Sequence, residues 1–328
     1  MPDLDSLSIL TLWTAIAIYA ASFIAYAFDL ARRSSVSDEA KTRMLVAAGG
    51  GEASDAAVGA SDGEAGSDAA PARPRYVFAR IGTALAVLGF AFHLTATLTR
   101  GFAAERVPWA NLYEFAMIGT LLIMAVYLVM LLRVDLKFLG SFITGLVLVL
   151  LGAAAANFYT EVTPLVDPLK SVWLVIHVFV ASLSTALFAL AFALSILQLM
   201  QTRRERRVAE GIENAGPGFL RTLPAATRLE NMAYRFTVVG FIFWTFTLIA
   251  GAIWAQDAWG RYWGFDVKET WTFIIWVLYA GYIHARATRG WRGNPSAWLS
   301  ITGFAAVIFN FTIVNVFFKG LHAYSGLS

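Results

Sequence analysis

The chain has 328 residues, of which 58% are hydrophobic and 14% are charged, and its formal net charge is +3. Since a soluble domain is about 45–50% apolar and roughly 25% charged, this composition excludes an ordinary soluble protein and predicts one that crosses a membrane several times. Cysteine is absent, which excludes disulfides, thiolate metal ligands and cysteine nucleophiles. Any metal chemistry must therefore use histidine, methionine or carboxylate side chains.

Apolar runs long enough to cross a bilayer as helices occur along most of the chain. We predict an all-α polytopic membrane protein with about eight spans, which lie at roughly 8–28, 78–98, 112–132, 138–157, 171–200, 235–255, 269–286 and 297–318. The first span is preceded by Asp3 and Asp5 and has no basic segment before it. This pattern predicts a retained helix rather than a cleaved signal peptide.

One segment near the start interrupts the apolar pattern. Residues 34–74 are rich in Ala, Gly, Ser, Asp and Glu, and such a composition buries too little apolar area to offset the entropy of ordering. We predict a first helix within 1–33, a disordered cytoplasmic linker over 34–77 and a seven-helix domain over 78–328. A tail that docks a partner is the alternative interpretation of the linker.

The basic residues predict how the spans are oriented. Most of the 25 Lys and Arg lie in alternate loops, for example at 203–207 and 286–292. Loops with an excess of Lys and Arg face the cytoplasm. We therefore predict that both termini, and the tryptophan-rich loop over 254–276, lie on the outer face.

The loop between the sixth and seventh spans has the most distinctive composition of the chain. Residues 259–271 read Trp-Gly-Arg-Tyr-Trp-Gly-Phe-Asp-Val-Lys-Glu-Thr-Trp, with Trp254 before them and Trp276 after them. Tryptophan and tyrosine anchor helices at a membrane interface, but anchoring needs only one or two rings per helix end. The density of rings here predicts a flat aromatic platform that suits a large planar ligand.

Two of the four histidines are predicted at the depth of that loop. His177 lies about 9 Å into the fifth span at 1.5 Å per residue, and His322 follows the last span on the same face. Imidazole is a common ligand of haem iron, so the pair is suited to both axial positions of a haem. The alternatives are a His177 bonded to a backbone carbonyl and a solvated His322.

The other two histidines are predicted at different depths. His284 lies near the inner end of the seventh span and His93 in the outer half of the second, roughly 10–15 Å apart along the membrane normal. They are therefore not expected to share a metal. His284 either binds a haem whose other ligand comes from another polypeptide or snorkels beside Arg286. For His93 the alternative is a hydrogen bond that packs two helices.

Several charged and amide side chains accompany these histidines. Asp266, Lys268 and Glu269 either cap the seventh helix or belong to a ligand site, in which Arg261 and Lys268 would meet ligand carboxylates such as haem propionates. Glu114 in the first turn of the third span is either a helix-end charge or part of a vestibule on the outer face. Asn310 and Asn315 inside the last span are predicted as interhelical hydrogen-bonding groups.

Five motifs together resemble the tryptophan-rich WWD haem-handling proteins of cytochrome c biogenesis, of the CcsA/ResC type (system II). The resemblance covers roughly 78–328 of the printed sequence. The motifs are the 259–271 segment, Tyr-Ile-His-Ala-Arg (282–286), Ser-Val-Trp-Leu-Val-Ile-His-Val (171–178), Pro-Trp-Ala-Asn-Leu-Tyr-Glu (108–114) and Lys-Gly-Leu-His-Ala-Tyr (319–324). Phe265 stands where the family usually has Trp, and Val267 where Pro is common.

The resemblance implies a haem-handling subunit of a cytochrome c synthase, or haem lyase, in the plasma membrane. The resemblance implies that haem b is held between His177 and His322 over the tryptophan-rich loop, and that its vinyl groups are offered to the Cys-X-X-Cys-His of apocytochrome c. No residue of the chain acts as a catalyst beyond positioning. The contacts expected in the loop come from Trp259, Arg261, Tyr262, Trp263, Phe265, Asp266, Lys268 and Trp271.

The resemblance also implies partners. His284 matches the family's transmembrane haem ligand, whose mate lies on a companion subunit of the CcsB/ResB type, and a thioredoxin-like reductant would keep the apocytochrome thiols free. Two alternatives stay open at this point: a haem exporter without attachment activity, and a haem b electron-transfer protein. The difference in depth between His93 and His284 argues against the electron carrier.

Overall fold

The computed structural model describes residues 3–49, 77–212, 215–288, 291–318 and 320–321. Within these ranges the protein is helical, with short connecting turns and no strand. The α-helices are α1 (Leu4–Gly49), α2 (Val77–Ala104), α3 (Leu112–Leu131), α4 (Gly140–Asn157), α5 (Val172–Ala209), α6 (Ala226–Trp259), α7 (Val267–Ala287), α8 (Asn294–Phe311) and α9 (Ile313–Phe317).

The predicted class, an all-α polytopic membrane protein, is confirmed. In the described part of the chain, seven segments are long and apolar enough to cross a membrane, and the last of them joins α8 to α9. The remaining predicted span, 269–286, is α7, which has 21 residues, about the length needed to cross a bilayer. It falls outside the seven because its Trp and Tyr rings and the pair Lys268 and Glu269 lower its mean hydropathy.

The first part of the predicted linker is helical in the structure. Helix α1 continues to Gly49, so residues 34–49 are helical although an unstructured chain was predicted there. Ala, Arg, Lys, Glu and Met in this stretch are strong helix formers, and this local preference extends α1 past its apolar part. Residues 50–76 of the predicted linker lie outside the described residues.

Two long helix pairs organise the packing. Helix α1 packs along α2, and α5 packs along α6; α3 and α8 each contact α5, and α7 packs on both α6 and α8. A single large apolar cluster crosses these interfaces. In its centre the rings of Phe188 on α5 and Tyr279 on α7 stack with centroids 3.7 Å apart and planes within 8°. The α5, α6 and α7 framework therefore holds the ends of α6 and α7, and the loop between them, in a fixed position.

Candidate ligand-binding cavity

A cavity of ≈ 300 Å³ opens between α3, α5, α6 and α8, beside the first turn of α7. Its walls are mostly apolar, with aromatic rings such as Phe115, Trp254 and Phe311. The polar side chains that reach it include His177 and Lys268. A concave, mainly apolar space with a few placed polar groups is the usual form of a small-molecule site.

His177 lies on the α5 wall of this cavity in a defined orientation. Its Nδ1 is 2.9 Å from the backbone oxygen of Thr247 on α6. A carbonyl oxygen only accepts, so Nδ1 carries the proton and the lone pair of the neutral ring is on Nε2. The ring also stacks on Trp254, with centroids 5.9 Å apart and planes 23° apart. The predicted alternative for His177, a bond to a backbone carbonyl, is present, and the same bond orients the ring in the way that metal-binding histidines are oriented.

The sequence interpretation missed the residue that makes room for this ring. A Cβ at Gly251 of α6 would lie 2.7 Å from Cε1 and 2.8 Å from Nδ1 of His177, closer than side-chain atoms approach one another. Glycine inside a helix is unfavourable by about 1 kcal/mol relative to alanine. A glycine inside an apolar span is therefore a signal of close packing, and α6 has two, Gly240 and Gly251, so Gly251 could have been found in this way.

The rings of the tryptophan-rich loop do not form one flat platform. Trp254 and Trp259 meet at 61°, and Trp263 meets Phe265 at 86°. Edge-to-face contact is a favourable arrangement of aromatic pairs, and it occurs both within the last turns of α6 and within the loop that follows. The prediction of a flat aromatic platform is therefore wrong: neighbouring rings of the loop meet at steep angles.

The loop residues predicted to contact a ligand divide into two groups. Tyr262, Trp263 and Lys268 line the cavity together with His177. The others do not line it: Arg261, Asp266 and Phe265 lie in the loop. The ring of Trp259 packs against Trp254, and that of Trp271 packs against Phe309 of α8. Phe265 is 80% exposed and has a φ of +58°, a left-handed conformation that is rare for a bulky residue.

The charged residues of the loop cap α7. Glu269 accepts from the backbone N–H of Gly264 (2.8 Å) and of Asp266 (3.1 Å), and Asp266 accepts from the N–H of Lys268 (3.3 Å). This is a reciprocal capping box at the helix start. Arg261 pairs with Glu269 at 3.4 Å. The capping interpretation thus applies to Asp266 and Glu269, and Arg261 is held by Glu269.

Gly264 and Lys268 complete this loop. The guanidinium of Arg261 lies against Gly264 where a Cβ would overlap it, so any larger residue at that position would displace Arg261 from its pair with Glu269. The amine of Lys268 turns away from the loop and donates to the backbone oxygen of Asn310 on α8, at 3.1 Å. Of the two cations predicted to meet a ligand, Lys268 is therefore the one that faces the cavity.

His322 lies outside the described residues, but the residue before it does not. The N–H of Leu321 donates to Oδ1 of Asp266 at 3.0 Å. The chain that leads to His322 therefore lies against the first turn of α7, close to the tryptophan-rich loop.

The other two histidines differ in burial and in their contacts. His284 is exposed near the end of α7, while Arg286 beside it is buried and pairs with Glu230 at 3.3 Å. His93 on α2 is fully buried, and its Nδ1 lies 3.4 Å from the hydroxyl of Tyr19 on α1. This contact between α1 and α2 favours the packing interpretation of His93.

A buried ion cluster supports one rim of the cavity. Glu114, in the first turn of α3, receives Nε of Arg100 at 3.0 Å and Nη1 of Arg106 at 2.7 Å, and both Arg100 and Glu114 are fully buried. Glu114 also accepts from the N–H of Ala110 at 2.9 Å, and Ala110 lines the cavity. Glu114 is thus both a helix-start charge and a support of the rim.

Known proteins match the part of the chain that forms the cavity. The sequence profile of the family described as Cytochrome C assembly protein matches residues 109–322, well over half of the chain. The chain is also 34% identical to the cytochrome c biogenesis protein CcsA of Guillardia theta over 244 residues, which cover 70% of this chain and 80% of that protein. The chain belongs to the CcsA-type family of cytochrome c biogenesis proteins.

Other members of this CcsA-type family give a similar result. The CcsA protein of Microcystis aeruginosa is 33% identical over 284 residues, which cover 74% of this chain and 86% of that protein. The matched range of the family contains His177, His284 and His322 and excludes His93. The three histidines predicted as haem ligands therefore lie within the matched range, and His93 lies before it.

A solved structure has the same fold. The protein named cytochrome c heme lyase CcmF aligns with 95% of this chain at a TM-score of 0.61 and 18% identity. This chain spans about half of that protein, 47% of its length. The likeness extends over α1 and α2 as well as the family domain, so the whole helical framework recurs.

Proposed function

We propose that the chain is the haem-handling membrane subunit of a cytochrome c synthase, and that it holds haem b in the cavity between His177 and His322. The observation that carries this proposal is the orientation of His177. Its Nδ1 bond to Thr247 leaves the lone pair of the neutral ring on Nε2, and the residue lines an apolar cavity; an imidazole fixed through one nitrogen in this way is typical of axial haem ligands.

The second ligand is supplied by the segment after α9. Leu321 is tied to Asp266, and His322 follows it directly in the sequence. A haem between these histidines would contact Trp254, on which His177 stacks. A cavity of ≈ 300 Å³ is at the lower end of the range for small-molecule sites, about 300–1,000 Å³. The cavity would enclose one part of the porphyrin and leave another at the mouth, accessible to a second protein.

The chemistry assigned to this chain is positioning. Thioether formation adds a cysteine S–H of the apocytochrome across a haem vinyl group, so both the nucleophile and the proton come from the substrate protein. The chain contains no cysteine and needs none for this reaction. Fixing the iron and the porphyrin plane turns the attachment into a reaction between oriented groups.

The partners and location follow from the same proposal. The tryptophan-rich loop would face the outer side of the plasma membrane, because the alternate loops rich in Lys and Arg would be cytoplasmic. His284 is exposed on α7, so its imidazole is accessible to a ligand-bearing helix of a companion subunit of the CcsB/ResB type. Apocytochrome c would be the acceptor, with a thioredoxin-like protein supplying its free thiols.

The deciding experiment supplies haem b from outside to membranes that contain an apocytochrome c and the companion subunit, with and without this chain. Covalent holocytochrome c is measured by its haem stain after denaturing electrophoresis. We expect product only when the chain is present. Equal amounts of product with and without the chain would favour an exporter that acts before attachment and would overturn the synthase assignment.

A further inference from the structure

The end of α8 beside the cavity is broken in a way that the sequence did not predict. Helix α8 stops at Phe311, Thr312 has a φ of −97° and a ψ of −71°, and α9 resumes at Ile313. Irregular backbone within membrane-spanning segments occurs where it lines a cavity, and broken helices there commonly mark ligand sites. The break faces the cavity, since Asn310, Phe311 and Thr312 all line it.

The break creates an unusual polar spot on an apolar wall. The last carbonyls of a helix lack intrahelical partners, and that of Asn310 accepts instead from Nζ of Lys268 at 3.1 Å. This bond uses one of the three N–H donors of the ammonium group. It holds the cation of Lys268 at the cavity wall, next to the helix break.

The side chain of Asn310 is left without a hydrogen bond. Asn310 is only 8% exposed, and its Oδ1 is buried with no partner among the described residues. A buried unsatisfied amide is unfavourable by about 1–3 kcal/mol, so its presence beside a cavity indicates a missing ligand atom. The interhelical hydrogen bond predicted for Asn310 is not made by this side chain; the link between α7 and α8 runs through its backbone.

We propose that Lys268 and Asn310 form a carboxylate-binding subsite that takes a propionate of the porphyrin; this rests on the proposed function. With a carboxylate bound, the amine of Lys268 supplies charge and N–H donors. Rotating the Asn310 amide by 180° about its last side-chain bond exchanges the unpaired oxygen for the NH₂ group, which supplies a further donor. Arg261, the other cation of the loop, is paired with Glu269 and does not line the cavity.

The subsite would also set which edge of the haem faces the mouth. The two propionates share one edge of the porphyrin, and the vinyl groups lie on the other half of the ring. With a propionate anchored at Lys268 and Asn310, rotation of the ring about the axis through the iron is fixed. The vinyl groups are then directed away from this subsite, as a reaction with a second protein requires.

The test compares haem b with its dimethyl ester, which has the same iron and vinyl groups but no carboxylates. The purified full-length chain is titrated with each, and binding is followed by the Soret band. We expect the wild type to bind the diacid at least about tenfold more tightly, as one charge-assisted hydrogen bond of ~1.5 kcal/mol or more implies. In Lys268→Met and Asn310→Leu this preference should fall to about twofold or less.

The variants are matched to separate folding from recognition. Lys170→Met removes a cation that is 60% exposed and paired with Asp167, and it should keep the wild-type preference. Asn310→Leu keeps the side-chain volume and leaves the Lys268 bond to the backbone in place. Equal affinity of the wild type for both haems would overturn the subsite but leave the proposed function standing. No Soret shift with either haem would overturn both.

Discussion

The imidazole of His177 lies in a notch that Gly251 leaves on the surface of α6. A Cβ at position 251 would come within 2.7 Å of Cε1 of His177, and Thr247, one turn earlier, supplies the carbonyl that binds Nδ1. One face of α6 therefore gives the ring both its space and its hydrogen bond. The orientation of the proposed iron ligand depends on α6 as much as on α5, which carries it.

Gly251→Ala should displace His177 and reduce haem retention several-fold without unfolding the protein. The added methyl group strains the ring contact, while alanine is itself about 1 kcal/mol better than glycine in a helix. Haem per protein is measured by pyridine haemochrome after purification. Gly152→Ala on α4, where a Cβ would meet nothing within 4 Å, is the control and should retain normal haem. Full haem content in Gly251→Ala would show that haem retention does not depend on the space that Gly251 leaves for His177.

His177→Ala and His322→Ala should each lower haem retention and cytochrome c maturation, because each removes one proposed axial ligand. Added imidazole should restore part of the haem in either variant by occupying the vacated position. The measurement is the haem content of membranes that contain equal amounts of protein. Normal maturation in both variants would refute the assignment of the ligands.

Asp266→Ala should reduce haem retention through the segment that leads to His322. The carboxylate of Asp266 accepts from the N–H of Leu321 and of Lys268, and alanine provides no acceptor for either. Asp266→Asn keeps a side-chain oxygen in the same place and should retain most of the haem. Equal haem retention in Asp266→Ala and Asp266→Asn would show that the hydrogen bond to Leu321 does not position His322.

Glu114→Gln should destabilise the protein by about 3 kcal/mol, because it removes the counter-charge of Arg106 and one of the two carboxylates that pair with the buried Arg100, the other being Asp5 at 2.6 Å. Both Arg100 and Glu114 have no exposed side-chain surface. Asp135→Asn disrupts the exposed pair of Asp135 and Lys137 and should change the free energy of unfolding by less than about 1 kcal/mol. Denaturant unfolding in detergent gives both values. Equal effects would show that the buried cluster has no special role in stability.

Much of the framework could be predicted from the sequence, because a bilayer-length apolar run has few other structures available to it. This includes α7, predicted as the span 269–286, although its aromatic and charged residues lower its hydropathy. The helical stretch 34–49 was missed because low apolar content was taken as disorder, while local helix propensity is sufficient to extend α1.

The site was predictable in its residue types and only partly in its geometry. The sequence placed His177 near the tryptophan-rich loop. The number of aromatic residues in a segment does not show the angles between their rings, and the prediction of a flat aromatic platform was wrong for that reason. The roles of Arg261 and Lys268 were separable only when their partners were known, since Glu269 binds one and Asn310 the other. The break after α8 carries no proline or glycine and so gave no sequence signal.

The most direct test of haem binding is the reduced-minus-oxidised absorption spectrum of the full chain, purified with its companion subunit from haem-replete cells. Two axial imidazoles predict a low-spin haem b spectrum with a sharp α band that is lost or converted to a high-spin form in His177→Ala. A colourless wild-type preparation, or a wild-type spectrum unchanged by that substitution, would contradict the account.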